Sequence, residues 1–585
     1  MNPVPDMHRD VGISLKNRRN FMNPYLTVIG GACLFLLAAA WLITAENRRQ
    51  KKERLKQIRE QFGSVCERSC TGEELERISA FSRREDSKIP GYLDDITWND
   101  LEMDTIFSKI NRTMSAPGEE YLYRVLRLPK LMETSGHFRQ MIHFFQQNDK
   151  AREEMQLILA DIGKKTRYNT EAAVRNLEHA ARISYLPHLV QAGALAVSLL
   201  LLAVFPVAAV FATFALLVLN AFTYQTGRDR KASEPCIHLF ASLGRILEAG
   251  GRLEKVAWPQ VENNCKAVAR IRRDLGRFRR RLFWFSGGQG AGGSLGGLLL
   301  DYLKLFFHID LIVYPGLLAE AKKHQSEFQE LLEAVGEMDA AICVASFREW
   351  LPWYCEPEFD SSPSGKIELE EVYHPLLKNP VPNTMETSGH ILLTGSNASG
   401  KSTFLKAVAV NGILAQTIDT CTAARYRAPR FQICSSIALR DSIQDGESYF
   451  MAEIRSLKRI MDFAQGGVPL LCVIDEVLKG TNTIERIAAS SGILRSLARP
   501  SVYCLAATHD LELTAVLKNY YENYHFEETV EGEDVCFGYK LRKGPSTSRN
   551  ALVLLEKAGY GKETVEAARV EAEQFQKSGI WEILK

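Results

Sequence analysis

The sequence predicts an α/β domain built on a parallel sheet with helices on both faces, preceded by an all-helical region with transmembrane-length apolar segments. Three observations predict it. His390 to Lys406 reads HILLTGSNASGKSTFLK, an apolar strand-like run, a glycine-bounded loop and a helical run in direct succession. From Lys366 onward short β-type runs alternate with helices, the pattern of strands joined by crossovers. Upstream, helical periodicity is broken twice by long uncharged stretches.

The loop comes first because it carries chemistry. Gly395, Gly400, Lys401 and Ser402 satisfy G-x-x-x-x-G-K-[ST], a phosphate-binding loop of the P-loop NTPase type. Glycines let backbone N–H groups converge on an anion, and the helix that follows offers its positive end to the same charge. The phosphate-binding set is therefore Gly395, Ser396, Asn397, Ala398, Ser399, Gly400, Lys401, Ser402 and Thr403. Lys401 reaches the β- and γ-phosphates and Ser402 ligates Mg²⁺. About 75 residues later PLLCVIDE ends a buried strand in two acids. Asp475 is the second metal-side carboxylate and Glu476 the group that polarises the attacking water. A further strand, Ser501 to Ala507, ends in Thr508-His509-Asp510, which sets His509 where a parallel sheet meets its ligand. The sequence holds no Asn-Lys-x-Asp guanine reader.

At 585 residues the chain needs several structural units. Its 46% apolar and 24% charged content excludes wholesale disorder, while a formal charge of +2 names no partner. The 12 cysteines show no paired C-x-x-C knuckles, which fits buried thiols in a reducing compartment rather than a disulfide framework or zinc site.

Tyr25 to Ala45 carries no charge over about 21 residues, enough to cross a bilayer as a helix. A second uncharged run, Ile183 to Gly227, is about twice that length and is broken at Phe205-Pro206, which predicts a helical hairpin of two crossings. The nucleotide site must face the cytoplasm, and a hairpin returns the chain to the side it left. Arg48, Arg49, Lys51, Lys52, Arg54 and Lys56 after the first span agree with that orientation. Between the spans, Glu46 to Ile78 reads as a charged helix, and Trp98 to Pro129 as helices around a Ser-Ala-Pro-Gly break. After the hairpin, Arg270, Arg272, Arg273, Arg277, Arg279, Arg280 and Arg281 crowd into about three turns, either a phosphate-gripping surface or a solvated face. Charges at Asp301, Lys304, His308 and Asp310 assign Phe283 to Pro315 to a helix within the soluble part.

Ser286-Gly287-Gly288-Gln289 resembles the signature loop of ABC transporter ATPases, but it precedes the phosphate loop by about a hundred residues instead of following it. The segment in the right place is DSIQDGESYFMAE, Asp441 to Glu453. With it, the chain resembles the MutS-type DNA mismatch-repair ATPases. TGSNASGKSTFLK is similar to their TGPNMGGKST, DSIQDGESYFMAE to D-x-x-x-x-G-x-S-T-F-x-x-E, IDEVLKGTNTIE to DE-x-x-x-GT-x-T, and ATHDLELT to ATH-x-x-x-LT. Tyr373-His374-Pro375-Leu376 resembles the phrase that opens their nucleotide domain.

The resemblance implies an ATP- and Mg²⁺-dependent homodimer with composite sites, in which Ser448 touches the partner subunit's γ-phosphate. Combined with the apolar and charged runs, it gives this layout: 1–24 tail; 25–45 transmembrane helix; 46–97 charged linker; 98–182 and 228–365 helical core and lever, split by the 183–227 hairpin; 366–544 ATPase domain; 545–585 dimerisation helices. Two departures bear on function, the first on the substrate and the second on rate and coupling. A membrane segment stands where mismatch-recognising members carry a Phe-x-Glu wedge, and Tyr449 replaces the usual Thr. The expectation is a cell-membrane ATPase with a cytoplasmic catalytic domain acting on DNA. The alternative is a membrane-associated signalling or remodelling ATPase that binds none.

Overall fold

A computed structural model describes residues 41–585 outside 42–43, 47, 132–135, 165, 287–294, 361, 363–364, 397–398, 438–448, 479–480, 532–533, 547–551, 553–554, 557–558, 580 and 582–585. The expected span Tyr25 to Ala45 therefore lies almost wholly outside the described residues. The described residues up to 60 belong to one unit and those from 61 on to another. In the first, residues 48–60 are helical. The helix expected to run on to Ile78 ends instead near Gly63, whose φ of 68° suits glycine, and a new helix starts behind a Thr71/Glu74 capping box.

The second unit opens with helices α1 (Gly72–Arg84), α2 (Asp95–Asp100), α3 (Met103–Ile110), α4 (Ala116–Arg127), α5 (His137–Gln147), α6 (Asp149–Ile162) and α7 (Thr170–Arg175). Ser-Ala-Pro-Gly is not a gap between helices but the start of α4. Ser115 caps it by accepting from Gly118 N–H, and Pro117 occupies the first turn, where its missing N–H costs nothing.

After the apolar α8 (Leu186–Leu201) and α9 (Pro206–Thr226), the helical layer is completed by α10 (Arg228–Leu253), α11 (Glu262–Asp274), α12 (Gly276–Ser286), α13 (Leu295–Phe307), α14 (Ile309–Ala321) and α15 (Gln325–Trp350). Helix α15 is its axis and packs closely on α4 and α5. Two glycines permit the α4/α15 approach. A Cβ on Gly336 would stand 2.6 Å from Tyr121 Cβ, and one on Gly118 would overlap the Asp339 carboxylate. That carboxylate, 1% exposed, accepts from Met114 N–H (2.9 Å), Ser115 N–H (2.7 Å) and Ser115 Oγ (2.5 Å). Burial still pushes its pKa up to about 6. Gly118→Ala is accordingly expected to destabilise the chain by about 1–3 kcal/mol through overpacking, read as a lower denaturation midpoint, with Gly72→Ala, which meets no atom, as its control.

Helices α8 and α9 form the expected hairpin around residues 202–205. Among the described residues α9 alone is long and apolar enough to cross a membrane, while α8 is a shorter apolar helix of 16 residues. Helix α13 packs beside α8 and α9. Asn220 Nδ2 of α9 donates to Phe306 O of α13 at 2.8 Å.

The C-terminal part holds two sheets where one was expected. A four-stranded sheet, order β1-β5-β2-β3, joins β1 (Glu358–Asp360), β2 (Ile367–Val372), β3 (Asn383–Thr387) and β5 (Arg425–Pro429) with mixed pairing. Its first strand begins at Glu358, ahead of the Lys366 at which the β-type runs start in the sequence. The six-stranded sheet, order β10-β9-β4-β8-β7-β6, contains β4 (Ile391–Thr394), β6 (Gln432–Ser436), β7 (Leu470–Asp475), β8 (Val502–Ala507), β9 (Glu522–Glu531) and β10 (Asp534–Lys543). Five of these strands pair in parallel and β10 returns antiparallel on β9. Around it lie α16 (Lys401–Ile418), α17 (Tyr449–Phe463), α18 (Thr483–Leu497) and α19 (Glu512–Val516), and α20 (Lys562–Ser578) follows.

The helical layer grips the far end of α16. Arg348, at the end of α15 and 1% exposed, donates to Thr420 Oγ1 (2.9 Å), Asp419 O (2.7 Å) and Glu356 Oε1 (2.8 Å). The helix that starts at the phosphate loop is thus held at its other end by one of the two longest helices of the layer.

Candidate nucleotide site

Strand β4 is buried along its whole length and delivers Gly395 to the top of the sheet between β9 and β8. Gly395 (φ 145°) and Gly400 (φ 106°) turn the loop back on itself, a backbone path disfavoured for L side chains. A Cβ at Gly395 would lie 2.9 Å from Ser399 Oγ, and one at Gly400 would lie 3.2 Å from Tyr539. Helix α16 then begins at Lys401. The lysine is 5% exposed, and its Nζ donates to Gly395 O and Ser396 O, both at 2.7 Å. Ser399 is 1% exposed and its Oγ has no hydrogen-bond partner among the described residues, a buried hydroxyl inside the loop. Asn397, Ala398 and Ser448 lie outside the described residues.

The acids arrive on β7. Ser402 Oγ donates to Asp475 Oδ2 at 2.5 Å, so the two expected metal-side oxygens are already together. Both are hard oxygen donors of the kind Mg²⁺ takes. Glu476 leaves the strand with a left-handed φ of 63°, and its N–H donates to Ala507 O at 2.9 Å. That turn, costly for a residue with a Cβ, brings the carboxylate to His509 Nε2 at 2.8 Å. His509 sits just past β8, where Arg486 of α18 grips the adjacent Asp510 with two bonds of 2.9 and 2.6 Å. Strand, acid, histidine and arginine therefore form one braced edge.

A cleft of about 510 Å³ joins these groups; Ser396, Ser399 to Thr403, Asp475, Glu476 and His509 line it. Its other half was not picked out from the sequence as a site: Tyr373, His374, Leu377, Phe526 and Tyr539. Phe526 and Tyr539 come from the β9–β10 pair, where nothing in the strand pattern marks them. His374 had a signal in its Tyr-His-Pro-Leu phrase. Its Nδ1 accepts from Leu376 N–H at 3.4 Å, which leaves the proton on Nε2, a buried atom with no partner among the described residues. Burial lowers its pKa to about 4, so the ring is neutral near pH 7 and offers a donor to the cleft. One end of the cleft suits phosphates and a cation; the other is aromatic with one N–H.

Residues 391–576 match the family profile MutS domain V. Over this region the chain belongs to the MutS family. It is 29% identical over 264 residues to the DNA mismatch repair protein MutS of Thermus thermophilus, covering 44% of this chain and 31% of that protein. It is 31% identical over 268 residues to the human MutS protein homolog 4, covering 43% and 28%. For the MutS of Natronomonas pharaonis the figures are 32% over 251 residues, covering 41% and 29%. The chain thus spans about a third of the length of these curated relatives. The cleft belongs to this MutS-type domain, apart from its wall at Val372 to Asn383, which precedes the matched residues.

Proposed function

We propose that the chain is a membrane-anchored, MutS-type ATPase that works as a dimer and couples its nucleotide state to a bound polymer, DNA. The carrying observation is the single cleft that unites the phosphate loop with Asp475, Glu476 and His509. In it Lys401 binds the phosphates, Ser402 and Asp475 hold Mg²⁺, and Glu476 takes a proton from water while His509 steadies its carboxylate. Bound Mg²⁺ supplies neutralisation of charge on the phosphates. The aromatic half receives the base, with His374 Nε2–H as donor. His374→Ala is expected to weaken ATP binding roughly tenfold, the worth of one buried hydrogen bond, in an equilibrium titration; unchanged affinity would remove this residue from the site.

The anchor rests on an inverted distribution of side chains. In the α8/α9 hairpin Leu200 (75%), Val207 (75%), Phe211 (72%) and Phe214 (68%) face outward, while Ser198 (5%), Thr213 (8%) and Asn220 (0%) are buried. Thr213 Oγ1 donates to Ser198 Oγ between the helices at 3.1 Å. Water favours the reverse arrangement and lipid favours this one. Helix α9 is about 31 Å long, matching a hydrocarbon core of about 30 Å. Arg182, Arg228, Arg230 and Lys231 flank the hairpin at the end where the chain enters and leaves, which supports a cytoplasmic catalytic domain. The full-length chain is expected to stay with vesicles after high-salt and alkaline washes; release by either would contradict the anchor.

DNA is supported by the names of the relatives and by the arginine run. In that run Arg270 pairs with Glu330, Arg272 with Glu254 and Arg281 with Glu320, while Arg273, Arg277 and Arg280 are exposed. This partial neutralisation favours the second reading, a membrane-associated ATPase that binds no DNA. Salt-dependent duplex binding that weakens on charge reversal of Arg277 and Arg280 supports the first; no binding at low salt supports the second.

A further inference from the structure

A cysteine pair lies at the joint between the helical layer and the nucleotide domain. Cys355 follows α15 by a few residues, and Cys421 lies in the loop after α16. They form an isolated antiparallel bridge, exchanging N–H···O bonds in both directions, Cys355 N–H to Cys421 O at 3.0 Å and Cys421 N–H to Cys355 O at 2.9 Å. Residues so paired stand about 5.5 Å apart at Cα, inside the range that a disulfide spans without moving the backbone. Both are free thiols, near enough that each affects the other's titration.

We infer that Cys355 and Cys421 are a reversible disulfide site that clamps the end of α15 to the loop behind the phosphate-binding helix. Access is graded as exchange requires: Cys355 is partly exposed and Cys421 fully buried. The Cys421 thiol beside Cys355 holds the Cys355 pKa below the ordinary thiol value, while burial pushes that of Cys421 up, so Cys355 is the attacking sulfur. The oxidant is a low-molecular-weight disulfide. The Cys355 thiolate attacks one of its sulfurs and forms a mixed disulfide, releasing the first small thiol. Cys421 then loses its proton and attacks Cys355 Sγ, which forms the protein disulfide and releases the second. Two protein thiols are oxidised as one small disulfide is reduced to two thiols, a two-electron exchange.

The clamp lies on a path to the cleft. Thr422, the next residue, accepts at its carbonyl from Tyr373 N–H at 3.0 Å, and Tyr373 and His374 line the nucleotide cleft. A second close pair shows why position decides: Cys472 and Cys504 are in register on β7 and β8, but both are 0% exposed and beyond the reach of an exchanging thiol.

The test is differential alkylation and non-reducing mass spectrometry of the full-length chain equilibrated in mixtures of reduced and oxidised glutathione. A Cys355–Cys421 linked peptide is expected to rise with the oxidised share while Cys472 and Cys504 stay thiols. In Cys421→Ser, Cys355 is expected to stop as the glutathione mixed disulfide. The ratio of oxidised to reduced ATP turnover is expected to fall below one in the parent and to equal one in Cys355→Ser, whose reduced activity should match the parent and so report intact folding. Thiols at both positions in fully oxidised buffer, a mixed disulfide as the parent's end product, or a turnover ratio of one in the parent would each overturn the clamp.

Discussion

Lys401→Ala is expected to abolish saturable ATP binding and to lower turnover by at least about a hundredfold, the scale of removing one preorganised charge partner from a reacting group. The side chain is almost fully buried, and its ammonium donates to two neutral oxygens, the carbonyls of Gly395 and Ser396. A triphosphate replaces them with charged acceptors, for which hydrogen bonds are about twice as strong. Alanine removes the cation and also empties the space under the loop, so Lys401→Met, which keeps the stem, separates charge from packing. Both variants are expected to fail alike in an ATP titration. Retained binding in the methionine variant would show that the charge is not what holds the nucleotide.

Glu476→Gln has the second large effect and the opposite signature. Glutamine keeps the length of the side chain and an oxygen for His509, but it cannot take a proton. ATP affinity is expected to remain within a few-fold of the parent while kcat falls by about a hundredfold or more, the usual worth of a positioned general base. Steady-state kinetics beside an equilibrium ATP titration checks both halves. A parallel loss of affinity would mean that Glu476 holds the loop together rather than serving the chemistry. His509 and the Arg486–Asp510 grip brace that carboxylate, so their loss is expected to act through kcat as well.

The polar half of this site was legible because phosphate chemistry constrains sequence locally. Gly395, Gly400, Lys401 and Ser402 are neighbours in the chain, and Asp475, Glu476 and His509 each end an apolar strand. The structure sets Gly400, Lys401 and Ser402 around one cleft with Asp475, Glu476 and His509. The aromatic half was not legible, since Phe526 and Tyr539 meet the loop only through the pairing of β9 with β4 and of β10 with β9. The hairpin at 183–227 was visible from missing charges, yet the docking of α13 on it was not, because Asp301 and Lys304 argue for water when read alone. The second sheet was hidden for a different reason. Its strand β1 is three residues long, and it pairs with β5, which lies beyond α16 in the chain, so neither periodicity nor spacing announces it.

The most direct measurement is phosphate release from ATP by the full-length, detergent-solubilised chain, with Mg²⁺ and with the metal removed by EDTA. The cleft predicts turnover that requires the metal, since the oxygens of Ser402 and Asp475 meet at the mouth of the phosphate loop. No phosphate release in either condition, or release undiminished by EDTA, would contradict the reading of this cleft as a Mg²⁺-dependent ATPase site.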